Sequence, residues 1–456
     1  MSNNLLAFIV SAIVTFVFSQ VGATFYEGVS IFLFVYFLVL FYKSIGVSYN
    51  LIAIPILLLI AECLIGSVLV YRYYNDHPFI LAFQYYMFID AETYFAYVVP
   101  GTIAMIIGLV LPLRSKNSQT QSIKDAIFRT KRYLEEKSMI GRVLIIIGAS
   151  ALVLKIFSPY ELEYVFYLLE KLIVIGAFYI YFSKDPYRTY FMLGAVFLLL
   201  LQSIFQGMFG DLIYILILGG LLILLNKRFS NFKKISFILL LTFFILSIQS
   251  IKMEYRRLTW YGGGGDRNQT EIFTTLLFDK MTAPEQIFSM EGFLPVVARL
   301  NQGMIVSRVM GYIPEKKPFA EGETILNSTF STFIPRILWP DKPIAGGKYN
   351  MLRFTGMEIE GYSMNVGVIG EAYGNFGKNG GIAFMFVYGL FFNLIFYFLI
   401  GLLKKTPTLI LWVPFIFVNA VQAETDTLMT INSTIKNIIF VGLLYWSFKR
   451  YLKVKL

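Results

Sequence analysis

Two short stretches hold most of the residues with chemical capacity. The first, "STFIPRILWPDKPIAGGKYN" at residues 331–350, gathers Arg336, Asp341, Lys342 and Lys348 around two prolines, with Arg353 just beyond. A guanidinium offers a planar fork matched to phosphate oxygens, and an ammonium adds a point charge. Arg336, Lys342, Lys348 and Arg353 together therefore suit a lipid-linked diphosphate held without a metal. Trp339, Tyr349 and Phe354 offer apolar faces on which the C–H side of a sugar ring can stack. The same composition also describes an aromatic belt with snorkelling basic residues, and both readings stand.

The second stretch, "YSMNVGVIGEAYGNFGKNGG" at residues 362–381, sets Gly367, Gly370 and Gly374 on one helical face with Glu371 beside it. Small residues at that spacing serve close helix packing. Packing alone does not ask for Glu371, Tyr373, Asn375 and Lys378 where the chain is about to re-enter apolar sequence.

Cysteine and histidine exclude more than they offer. One cysteine, Cys63, and one histidine, His77, leave no intrachain disulfide and no Cys/His metal site. No cofactor is called for.

The elements that must position these residues are membrane spans. The chain is 57% hydrophobic and 15% charged, against about 25% charged in soluble domains. Twelve apolar runs are long enough to cross a bilayer, alone or with flanking aromatics: 4–21, 24–42, 51–71, 94–113, 140–157, 164–182, 189–206, 209–225, 235–251, 381–403, 407–421 and 435–448. Lys43, Arg114 to Arg142, Lys184, Arg188, Lys227 to Lys234, Lys404, Lys405 and Lys449 to Lys455 fall on one side, and the other side's short loops offer only Arg72. That asymmetry predicts both termini in the cytoplasm and an even number of helices. The net charge of +11 is mostly this topology and does not imply nucleic acid. The basic stretch 114–142 suits anionic lipid headgroups or a solvated loop. The opening "MSNN" lacks a basic signal-peptide region, so the first run is expected to be a retained span.

The fold class expected is therefore an all-α polytopic membrane protein: helices one to nine in 1–251, a large extracytoplasmic loop in 252–380, and helices ten to twelve with a cytoplasmic tail in 381–456. The loop opens on four glycines after Trp260 and Tyr261, a hinge or a close backbone approach. Thr282, Pro284 and Glu285 mark a helix start. Pro295 opens a run carrying Arg299 and Arg308, and "GETILNSTFSTFIPR" adds a third apolar stretch, so the loop is built to rest on the bilayer. Within the spans, Glu62 is a functional candidate, whereas Glu170 and Lys171 read as paired or snorkelling charges.

"IPRILWPDKP" followed about thirty residues later by "GEAYGNFG" and a terminal group of spans resembles the bacterial O-antigen and oligosaccharide repeat unit polymerases of the Wzy type. The likeness covers the carboxyl-terminal third; the amino-terminal half agrees in span number and hydropathy. It implies a GT-C-like glycosyltransferase that joins undecaprenyl-diphosphate-linked glycan repeats outside the inner membrane, with a flippase and a chain-length regulator of the same pathway as partners. Only Arg336, with its Pro335 and Lys342 context, and Glu371, with Tyr373 and Asn375, are carried onto this sequence; the other expected contacts come from the chemistry of the loop. Arg336 stabilises charge developing on the diphosphate, backed by Arg353 and Arg308. Glu371 takes the proton of the attacking sugar hydroxyl. Asp341 orients Lys342, and Lys348, Trp339, Tyr373 and Asn375 complete the expected substrate contacts.

Two other functions fit the same composition. A lipid-linked oligosaccharide flippase or other transporter also has many spans, but does not need a long outer loop. An O-antigen ligase shares the loop and donor, yet that family uses a loop histidine, and residues 252–380 contain none.

Overall fold

The computed structural model describes residues 3–113, 116–159, 162–225, 227, 229–260, 262, 267–283, 285, 289–334, 339, 347–359 and 364–456. Among these the chain is helical throughout, with no strand. Ten helices are long and apolar enough to cross a bilayer: Asn3–Gln20, Phe25–Ser44, Ala53–Tyr74, Ala91–Val110, Ser138–Phe157, Glu163–Tyr181, Arg188–Gln206, Asn231–Trp260, Gly367–Leu402 and Thr427–Tyr451. Gly210–Leu224 and Pro407–Phe417 are apolar but shorter. The architecture is that of a polytopic α-helical membrane protein.

Glycines set how closely the helices approach. A Cβ on Gly108 would stand 2.3 Å from the Phe386 carbonyl oxygen, and one on Gly389 2.3 Å from that of Met105, so Ala91–Val110 and Gly367–Leu402 cross nearly backbone to backbone. Without a hydrophobic drive between helices in lipid, such contact gains dispersion energy instead. Asn393 locks the crossing by donating to the carbonyls of Gly108 (3.0 Å) and Leu111 (2.9 Å).

Gly367–Leu402 breaks at Gly377, whose φ of 66° and ψ of −165° only glycine adopts easily. The break frees helical carbonyls, and the strap at 320–322 takes them up. Ala320 N–H donates to Gly374 O and Glu321 N–H to Asn375 O, both at 3.0 Å, while Gly322 N–H reaches Asn375 Oδ1 at 3.0 Å. The piece from Gly367 to the kink is thus an arm carrying Glu371, and the remainder is the span foreseen at 381–403.

The readings of the large segment fare differently. Thr282 closes the helix Gln269–Thr282, which begins at the Asn268 cap, and Glu285 is helical again three residues on. Pro295 lies inside Met290–Leu300 and does not start it. The four-glycine hinge falls, apart from Gly262, outside the described residues. The third apolar stretch forms the helix Glu323–Phe333 as expected. His77 caps Pro78–Ala82 through Nδ1, which accepts Phe79 N–H at 3.2 Å. Glu170 pairs with Lys155 at 3.5 Å and Lys171 with Asp211 at 2.7 Å, in line with the paired reading.

Candidate functional site

The site forms where the span after Pro407 loses its helix. Pro407–Trp412 is a 3₁₀ segment, Val413–Phe417 adds one helical turn, and regular helix resumes only at Thr427. Thr408 Oγ1 bonds the Leu456 carbonyl at 2.6 Å, so the segment starts level with the far end of Thr427–Tyr451 and must climb to its Asp426 end. It covers the last part as irregular chain at 418–426, buried apart from half-buried Gln422, Ala423 and Glu424. Irregular backbone at membrane depth persists only where protein encloses it or where it lines a cavity, because nothing else satisfies its polar groups. Broken helices of this kind recur at binding sites in membrane proteins.

Here the polar groups are satisfied by carboxylates. Asp426 caps Thr427–Tyr451: its Oδ1 accepts Met429 N–H at 2.9 Å and its Oδ2 accepts Asn350 Nδ2 at 3.0 Å. Glu371, wholly buried, accepts Thr324 Oγ1 at 2.7 Å on Oε1, and Thr427 N–H and Oγ1 at 2.8 Å each on Oε2. Asn375 donates at 2.8 Å to both Thr324 Oγ1 and Glu371 O. One carboxylate thus ties together Gly367–Leu402, Glu323–Phe333 and Thr427–Tyr451.

A small cleft opens beside this tie, lined by Thr324, Asn327, Ser328, Tyr349, Asn350 and Asp426 among others. Asn365 Oδ1, packed against Gly347 on the same wall, is a buried acceptor with no hydrogen-bond partner among the described residues. Burial pushes the Asp426 carboxyl above the ordinary carboxylate range, although Met429 N–H and Asn350 pull it back. The arrangement offers hydroxyls, amides and one basic carboxylate to a polar, hydroxyl-rich ligand.

The residues singled out by sequence separate into four groups. Glu371 and Asn375 sit directly behind the cleft. Lys348 is exposed at the start of Lys348–Thr355 near the mouth, where Tyr349 reaches Glu323 Oε1 at 3.4 Å. Arg308, Arg353 and Tyr373 are engaged elsewhere. Arg308 donates to Gln84 Oε1 at 3.1 Å and lies 4.7 Å from the Phe88 ring centroid. Arg353 donates to the Pro318 carbonyl at 3.2 Å, and Tyr373 packs between Tyr97 and Phe319. Arg336, Asp341 and Lys342 lie outside the described residues, and of Trp339 only partial burial is described. Phe354 is a correction: it is fully buried, seated on Gly374, and presents no face to a sugar.

Sequence reasoning missed Thr324, Asn350, Asp426 and Thr427. "AETDT" at 423–427 held the signal, an acidic and threonine-rich insert between two apolar runs.

These features define a helical membrane protein with a polar site built on a broken span. The chain belongs to the family described as a domain of unknown function, DUF8712, whose model matches residues 64–398. That match takes in Thr324, Asn350 and Glu371 and ends before Asp426. No curated protein and no solved structure matches the chain.

Proposed function

We propose that this chain is a glycosyltransferase that polymerises undecaprenyl-diphosphate-linked oligosaccharide repeats into O-antigen, capsular or exopolysaccharide on the outer face of a bacterial inner membrane. The observation that carries the reading is the cleft at Asp426: hydroxyls, amides and a carboxylate facing one hollow where apolar helices end. Such a lining suits sugars at the bilayer surface, and the motifs at 334–343 and 370–377 are those that resemble the polymerases. The twelve-span, GT-C-like layout belongs to this proposal. Counting the two short apolar helices with the ten long ones supports twelve spans, a number consistent with both termini on the side where Lys and Arg concentrate.

In the reaction, a hydroxyl of the incoming repeat attacks the anomeric carbon of the growing chain. The C–O bond to the lipid diphosphate breaks, and its electron pair goes to the diphosphate. Asp426 accepts the hydroxyl proton, a role that shifts from Glu371 because Asp426 lines the cleft and Glu371 is enclosed. Glu371 positions Thr324 and Thr427, while Arg336, Lys342 and Lys348 supply positive charge for the leaving diphosphate. Orientation of two membrane-held substrates lowers the barrier further, by up to roughly 7–11 kcal/mol in well-aligned cases.

The test is a deletion strain examined on a carbohydrate gel. Single repeats on the acceptor lipid are expected. Absence of any repeat outside would indicate a flippase, and long polymer retained on undecaprenyl diphosphate a ligase; either would overturn the proposal.

A further inference from the structure

A second surface lies on the connection between the spans Ala53–Tyr74 and Ala91–Val110. The short helix Pro78–Ala82 ends there at Phe83, and Gln84 follows in the left-handed region with a φ of 55°. Gln84 N–H donates to Leu81 O at 3.1 Å and Tyr85 N–H to Ile80 O at 2.8 Å, which closes the helix in the manner of a left-handed stop. Glycine fills that position with least strain. A glutamine there is strained, and strained residues recur where a side chain has a function.

The Gln84 side chain braces Arg308. Its Oε1 accepts Nη1 at 3.1 Å, the Thr355 carbonyl accepts Nε at 3.4 Å, and the Phe88 ring centroid lies 4.7 Å from the guanidinium. Groups on two other segments of chain thus fix one cation. Aromatic rings stand beside it: the Phe79 and Phe83 centroids are 4.8 Å apart, and Phe83 and Tyr85 are 6.3 Å apart and nearly parallel. Phe83 is 54% exposed, so its ring is open to a ligand.

One helix connects this surface to the cleft without merging the two. Asn350, near the start of Lys348–Thr355, lines the cleft, and Thr355 at its end holds Arg308. At helical rise the two residues are about 7.5 Å apart along the axis. A glycan that grows by transfer onto each new repeat must lead its older sugars out of the cleft, and these rings and donors stand within reach of that exit. Contact with the bilayer would account for exposed Leu81 and Phe83, but it does not call for a strained glutamine bracing a guanidinium among the rings. We propose that Phe83, Gln84 and Arg308 hold the growing glycan beyond the Asp426 cleft. The Phe83 ring stacks on the C–H side of a sugar, while the Gln84 amide and the Arg308 guanidinium donate to its hydroxyls. The inference rests on the polymerase reading and adds to it a product subsite that touches no reacting atom.

The test titrates the parent strain's surface polysaccharide, freed of lipid, into the purified full-length protein in nanodiscs and records melting temperature alongside. Wild type should bind it. Phe83→Ala and Gln84→Gly should each weaken binding about three- to tenfold, the loss of one ring contact or one hydrogen bond. Glycine suits the left-handed turn, so Gln84→Gly should keep its melting temperature, and it carries the test if Phe83→Ala fails to fold. Variants that bind as wild type does overturn the subsite and leave the polymerase reading standing. A melting temperature lowered by Phe83→Ala with binding unchanged assigns the patch to the bilayer and likewise overturns the subsite, as does binding by Gln84→Gly that falls only in step with a lower melting temperature. Wild type that lengthens lipid-linked repeats yet binds no free polysaccharide overturns the subsite alone; wild type that does neither overturns the polymerase reading with it.

Discussion

Asp426 and Glu371 are neighbouring carboxylates with different surroundings, and their substitutions should separate. Asparagine caps a helix about as well as aspartate, so Asp426→Asn should keep the thermal stability of the protein while abolishing polymer. Asp426→Ala should also cost about 1 kcal/mol of stability through the lost cap. Glu371→Gln places an amide donor among three donors and leaves at least one buried group unsatisfied, a cost of about 1–3 kcal/mol. Stability and activity should then fall together, seen as a lower melting temperature in detergent alongside reduced polymer. Because a base must be deprotonated and burial raises the Asp426 carboxyl, polymer yield should rise with pH along a limb lying above the ordinary carboxylate range. A limb at the ordinary position would remove Asp426 as the base. Glu371 and Asn375 were legible as polar residues on a glycine-rich stretch. Asp426 was not, because its importance comes from where the chain folds it, beside Asn350, which lies 76 residues away in sequence.

At the scale of elements, the kinked helix Gly367–Leu402 and the broken span after Pro407 shape the site together. The glycine face was legible from spacing, but its three members are not equivalent. A Cβ on Gly374 would lie 2.4 Å from the Phe354 ring, whereas one on Gly370 meets nothing nearer than 3.6 Å. Gly374→Ala should therefore destabilise by about 1–3 kcal/mol through overpacking. Gly370→Ala should be neutral, or stabilising by up to about 1 kcal/mol from helix propensity. Thermal unfolding of the two variants side by side checks the contrast, and equal effects would contradict the packing described. Periodicity anticipated the long helices well, since each must bury or expose a whole apolar face. It gave 407–421 as a full span and began the last helix at 435, because hydropathy cannot register a 3₁₀ turn or a helix started early by the Asp426 cap.

For the whole molecule, composition alone pointed to a membrane protein, because too few charged residues are present to solvate a chain of 456 residues. Orientation rests on the distribution of Lys and Arg. Reporter tags at Asp125 and Ser230 should read cytoplasmic and one at Lys316 external; a cytoplasmic Lys316 would put the Asp426 cleft on the wrong side for lipid-linked repeats that have been flipped. What no sequence pattern supplied was the meeting of Glu323–Phe333, Lys348–Thr355, the first arm of Gly367–Leu402 and the 418–426 segment around one hollow, since each contact joins stretches far apart in the chain. That hollow is where we propose that polymerisation takes place. The most direct measurement reconstitutes purified wild-type protein and Asp426→Asn in proteoliposomes with lipid-linked repeats extracted from the deletion strain, and reads product length on a carbohydrate gel. The expected result is a ladder with wild type and single repeats with Asp426→Asn at equal protein; a ladder from both, or from neither, would contradict the account.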